Sequence, residues 1–253
     1  MFPVHNGVAR RFPATITWTL IVVTTAIFLY QQSLPPRHHE EFIRTFALVP
    51  ARYFARAAWS GHLWYMRYAP FLTSIFLHGG WAHLLLNLWT LWVFGPAVED
   101  RLGHMRFLGF YLATGIAASV AHAVVNSTSP VPVLGASGAI AGVIGCYVRL
   151  FPRARLVLMI PIVFVPFFFE IPALVFAGFW LWSQIIPGVI GLMLPPGCCG
   201  IAWWAHIGGF CAGWLLMPLV KRQQRRYRRY YADEGTYGFL PDGRRYKGAS
   251  SWV

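Results

Sequence analysis

The run Gly135-Ala136-Ser137-Gly138-Ala139-Ile140-Ala141-Gly142 sets a hydroxyl at the mouth of an apolar stretch that continues to Leu150. A serine at a helix N-terminus lies among backbone N–H groups that have no intrahelical acceptor. Such donors can hold a developing oxyanion. Read alone, Gly-x-Ser-Gly is a common string and Ser137 is a helix cap. Other polar groups in apolar stretches make the serine a candidate nucleophile. His206 stands in Ala205-His206-Ile207-Gly208-Gly209, with Gly213 further along the same face. His83 and Asn87 are four residues apart and share one side of a helix. A hydroxyl, an imidazole that can take its proton and two spare hydrogen-bond donors are the parts of an acyl-transfer site.

These residues need a scaffold, and composition says which kind. The chain has 253 residues, 57% hydrophobic and 11% charged. Its mean hydropathy is +0.52. That excludes an ordinary soluble domain and, with uncharged stretches about twenty residues long, indicates an all-α polytopic membrane protein. The net charge of +13 comes from arginines beside the apolar runs. That placement suits anionic headgroups and topology, so no nucleic-acid partner is expected. Cys146, Cys198, Cys199 and Cys211 form no metal-ligand pattern, and no structural disulfide is expected. His38-His39 lacks further ligands and reads as a solvated loop. No metal and no cofactor is expected.

The expected organisation is a cytoplasmic segment over residues 1–13, a membrane domain of six transmembrane helices over 14–220, and a basic cytoplasmic tail over 221–253. The spans read as 14–30, 71–98, 107–125, 137–150, 171–190 and 201–220. The first is taken as retained rather than as a signal peptide, and Gly95-Pro96 is expected to end the second. Residues 31–67 form an interfacial first loop with short amphipathic helices. Residues 156–169, broken by Pro161 and Pro166, read as an interfacial or re-entrant piece. Arg10, Arg11, Arg101, Arg106, Arg149, Arg153, Arg155 and the tail then share the inner side. The second, fourth and sixth spans run inward from the outer side. His83, Asn87, Ser137 and His206 therefore fall at one depth in the outer half of the bilayer. Gly138, Gly209 and Gly213 let the helix backbones approach closely. No acidic residue shares that depth. Glu99 and Asp100 lie at the inner end, where Glu99 is expected to cap or tether its own helix. The expected device is a Ser–His dyad without a carboxylate.

On these residues the chain resembles the rhomboid intramembrane serine proteases. The matching pieces are His78-x4-His83-x3-Asn87, then Gly95 and Glu99, Gly135-x-Ser137-Gly138, and Ala205-His206-x2-Gly209-x3-Gly213. The resemblance implies a six-helix bundle with a water-filled cavity open to the extracytoplasmic side. It implies Ser137 as nucleophile and His206 as general base. His83, Asn87 and the Ser137 backbone N–H would form the oxyanion site. His78, Gly135, Gly138, Gly209, Gly213 and Glu99 would be structural. The implied activity is endopeptidase cleavage of transmembrane segments of other membrane proteins, in a bacterial cytoplasmic membrane. Partners are those substrates and the lipid bilayer. The alternative is a catalytically silent relative that binds or escorts membrane clients. The chain departs from the family in three places. An aromatic residue often stands four positions after the serine; here it is Ala141, so His206 must be oriented by something else. Tyr68-Ala69-Pro70 stands where the family has Trp-Arg, and the 156–169 insert is long.

Overall fold

The computed structural model describes residues 2–54, 67–162, 165–194 and 201–221. The described elements run β1 (Phe2–Asn6), α1 (Thr15–Ser33), α2 (Pro36–Phe46), α3 (Ala51–Phe54), α4 (Pro70–Thr73), a 3-10 turn (Ser74–Phe76), α5 (Trp81–Leu102) and α6 (His104–Val125). Then come α7 (Ser137–Leu150), β2 (Arg155–Ile162), β3 (Val165–Pro172), α8 (Ala173–Gly191) and α9 (Trp203–Val220). Among the described residues four helices, α5, α6, α8 and α9, are long and apolar enough to cross a membrane. The protein is therefore a mostly helical, multi-pass membrane protein. Helix α1, with 19 residues, ends on Gln31-Gln32-Ser33. Helix α7 has only 14 residues. Cys146 is buried and Cys211 exposed, and both are free. Cys198, Cys199 and the tail from 222 lie outside the described residues.

Several local expectations change. The second apolar stretch is not one helix. It divides into α4, the 3-10 turn and α5, so His78 lies in the short irregular segment between that turn and the long helix. Gly95-Pro96 does not end α5, which continues to Leu102. Proline removes one backbone donor, and packing overrides that loss. Here a Cβ on Gly95 would lie 3.0 Å from Thr17 Cγ2, so the two helices touch at this point.

The insert is a β-hairpin. Strands β2 and β3 pair antiparallel, and β1 joins the other edge of β2. Leu156 and Leu158, two apart, are both buried. That spacing of two is the strand period. Pro161 faces Pro166 next to the closing pair of the hairpin, where missing N–H groups are least costly. A short apolar run does not by itself distinguish such a strand from a buried helical piece.

Glu99 tethers the end of its own helix by capping a neighbouring one. Its carboxylate accepts hydrogen bonds from Ile16 N and Thr17 N at 2.8 Å and from Thr17 Oγ1 at 2.7 Å. His104 Nδ1 is 2.6 Å away. Helix α1 has no side-chain cap of its own. A negative charge among its first N–H groups supplies one.

Helix α7 is buried on all sides from Gly138 to Val148. Its tightest neighbour is α9. A Cβ on Gly209 would collide with Gly138 O, and one on Gly213 with Gly142 O. At the C-terminal end of α7 the Arg149 guanidinium donates to Trp214 O and lies 5.7 Å from the Trp214 ring centre. These contacts set the distance between the starts of α7 and α9. Gly209→Ala and Gly213→Ala should each lower the unfolding free energy in lipid micelles by roughly 1–3 kcal/mol. Gly178→Ala, with nothing within 4 Å, should not. Wild-type stability in both close-contact variants would contradict this packing.

Candidate active site

The loop that feeds Ser137 is held by backbone bonds on both flanks. Leu48 and Val133 form an antiparallel bridge, with Leu48 N donating to Val133 O at 3.0 Å and Val133 N to Leu48 O at 2.7 Å. Gly135 N donates to Ser74 O at 2.9 Å. Gly135 has φ +128°, a value that favours glycine. A Cβ there would lie 2.7 Å from His83 Cε1. Ala136 N then points at His78 Nε2, 3.5 Å away. His78 is fully buried, and Gln31 Nε2 donates to its carbonyl oxygen at 2.7 Å. The chain next enters α7, so Ser137 occupies its first turn, where backbone N–H groups lack helical acceptors.

Ser137 Oγ lies 2.8 Å from His206 Nε2. His206 sits in the first turn of α9, beside the Gly209 contact with α7. Its other ring nitrogen, Nδ1, lies 2.7 Å from Gln184 Oε1 on α8. Two aromatic rings flank the imidazole. Trp180 on α8 is 6.2 Å away at 38°, and Trp203 is 6.2 Å away at 90°. These groups orient His206 in place of an aromatic at Ala141.

Ser137 and His206 open on a cavity of about 740 Å³ that His83, Asn87, His122 and Gln184 also line. His83 and Asn87 approach it from α5, beside Gly135. The Asn87 amide nitrogen is buried and has no partner among the described residues. This amide is therefore free of protein acceptors and can donate to a group bound in the cavity. Among the described residues no Asp, Glu, Lys or Arg lines the cavity. Glu170 pairs with Arg155 at 3.2 Å and Glu99 holds α1. The arrangement can move a proton between a hydroxyl and an imidazole and can receive an oxyanion from donors on two helices.

Ser137, His206, His83 and Asn87 thus meet around one space, with His78 behind the loop. Glu99 lies apart from it. Four participants escape the sequence reading: Gln184, Trp180, Trp203 and His122. The available signal for Gln184 is the polar pair Ser183-Gln184 inside an otherwise apolar helix.

A helical membrane protein with a hydroxyl–imidazole pair on two tightly packed helices is the class this fold and site define. The family model of the Rhomboid domain matches residues 60–223. The chain belongs to the rhomboid family. It is 31% identical over 163 residues to Rhomboid protein 1, mitochondrial, of Saccharomyces cerevisiae, covering 60% of this chain and 43% of that protein. It is 51% identical over 84 residues to Rhomboid protease GluP of Bacillus subtilis, covering 32% of this chain and 16% of that protein. It is 33% identical over 102 residues to the human Presenilin-associated rhomboid-like protein, mitochondrial, covering 40% and 26%. The matches span less than half of each of these relatives.

Gly135→Ala should displace His83 and strain the loop, lowering folding stability by about 1–3 kcal/mol. Thermal unfolding and a structure of the variant check this. An unmoved His83 with wild-type stability would refute the packing described.

Proposed function

We propose that the protein is an intramembrane serine endopeptidase that cleaves transmembrane segments of other membrane proteins. Ser137 is the nucleophile and His206 the general base. The observation that carries the reading is the 2.8 Å approach of Ser137 Oγ to His206 Nε2 at a cavity with an unpaired amide donor. In this reading α1, α5, α6, α7, α8 and α9 form six membrane spans. The cavity opens on the extracytoplasmic side of a bacterial cytoplasmic membrane. The basic residues near the opposite ends of the helices support that orientation. A relative from Bacillus subtilis named a rhomboid protease supports the activity.

The substrate helix has its carbonyls engaged in i→i−4 bonds and must unwind before attack. Small or helix-breaking residues in the substrate therefore help. As Ser137 Oγ bonds to the carbonyl carbon, His206 Nε2 takes the hydroxyl proton. The charge that appears on the carbonyl oxygen is held by the Ser137 backbone N–H, Asn87 Nδ2 and His83. The imidazolium then gives its proton to the leaving amine. Water from the cavity attacks the acyl-enzyme, again with His206 as base, and Ser137 is released.

Ser137→Ala and His206→Ala should each abolish cleavage of a model transmembrane substrate in proteoliposomes while leaving the fold intact. Asn87→Ala should lower kcat by roughly tenfold to a thousandfold. A fluorophosphonate probe should label the wild type and not Ser137→Ala. A silent client-binding relative predicts no labelling of the wild type, and full activity in either alanine variant would overturn the assignment.

A further inference from the structure

One carbonyl fixes the direction of a chain of hydrogen bonds that ends at Ser137. Trp180 O can only accept. It lies 2.6 Å from Ser183 Oγ and 3.3 Å from one terminal atom of the Gln184 side chain. The Ser183 hydroxyl hydrogen goes to Trp180 O. Ser183 Oγ is then an acceptor for the same Gln184 atom, 2.8 Å away. Both neighbours of that atom accept, so it is the amide nitrogen. The other end of the amide, 2.7 Å from His206 Nδ1, is the carbonyl oxygen. It too can only accept, so Nδ1 carries the imidazole proton. The lone pair of the neutral ring is left on Nε2, 2.8 Å from Ser137 Oγ.

We infer that Gln184 is a positioning residue that holds His206 in the Nδ1–H tautomer and aims Nε2 at the Ser137 hydroxyl. It takes the place that a carboxylate fills in a Ser-His-Asp triad, with an amide dipole instead of a charge. Its setting favours that role. Gln184 is 7% exposed, and both ends of its amide are bonded. A buried polar side chain in an apolar helix is costly unless its groups are paired. Ser183, the other polar side chain of α8, belongs to the same chain of bonds. The titratable groups that share the cavity with His206 are His83 from α5 and His122 from α6. Orientation by a neutral amide spares the site a buried negative charge and still selects one tautomer.

The kinetic consequence rests on the protease reading, whereas the tautomer belongs to the resting protein. The test uses the full chain in lipid nanodiscs with nitrogen-15-labelled histidine, the His206 signals being assigned by their absence in His206→Asn. The expected wild-type spectrum has Nδ1 protonated and Nε2 bare. Gln184→Met, similar in size but without the carbonyl, should lose the single tautomer. Its kcat should fall roughly tenfold to a hundredfold with KM within about twofold. Gln184→Glu restores an acceptor at the same point and should keep the Nδ1–H form and recover turnover relative to Gln184→Met. Protonation of His206 on Nε2 in the wild type would overturn the inference. So would Gln184→Met with the wild-type tautomer and wild-type kcat. Absence of cleavage by the wild type would defeat the protease reading, and the nitrogen spectra would still decide the tautomer.

Discussion

The close contact of α7 with α9 is the constraint on which the rest depends. At two successive turns a glycine of α9 lies against a carbonyl oxygen of α7, Gly209 on Gly138 and Gly213 on Gly142. No side chain fits between the backbones there. In lipid, apolar side chains gain little from leaving one apolar surface for another, so helices associate through close packing and polar contacts. Small residues on both faces make such packing possible. Because Ser137 immediately precedes Gly138 and His206 lies three residues before Gly209, the interaxial distance decides whether a hydroxyl and an imidazole meet. The Arg149 tie to Trp214 holds the same pair together at the C-terminal end of α7.

The polar groups around this contact are economical in charge. Helix α7 is short and begins below a loop that is itself hydrogen-bonded to Leu48, Ser74 and His78. The polar side chains that line the cavity beside it are histidines, amides and hydroxyls. The one buried carboxylate among the described residues, Glu99, is used elsewhere, to anchor the first turn of α1 against α5. Separating the two tasks keeps the structural charge away from the cavity. An ionised group in the membrane interior is expensive unless paired, so a site built of neutral groups is the cheaper design. Trp180 and Trp203 add two apolar walls around His206 without adding charge.

Much of this site is readable in the sequence because a polar residue in an apolar run is conspicuous. Ser137, His206, His83 and Asn87 stand out that way, and the alternation of basic ends brings them to one depth. Gln184 obeys the same rule but belongs to no spacing pattern, so nothing in the sequence links it to His206. Glu99 is readable as important but not as to its partner, since Ile16 is 83 residues away along the chain. The helix that it caps is named only by tertiary packing. The strands β2 and β3 go unread in the sequence because their prolines look only like breaks in an apolar run, when they face each other beside the closing pair. Proline in α5 misleads in the opposite sense. Packing of Gly95 against Thr17 carries that helix past a residue that in isolation marks an end.

The central claim is that a nucleophile, its base and its oxyanion donors converge on one point at the start of α7. A crystal structure of the protein after reaction with a phosphonofluoridate tests it most directly. The account predicts phosphorus bonded to Ser137 Oγ, with a phosphonyl oxygen about 3 Å from Ser137 N and Asn87 Nδ2. An adduct on another residue, or one on Ser137 whose oxygen faces away from Asn87 and His83, would contradict it.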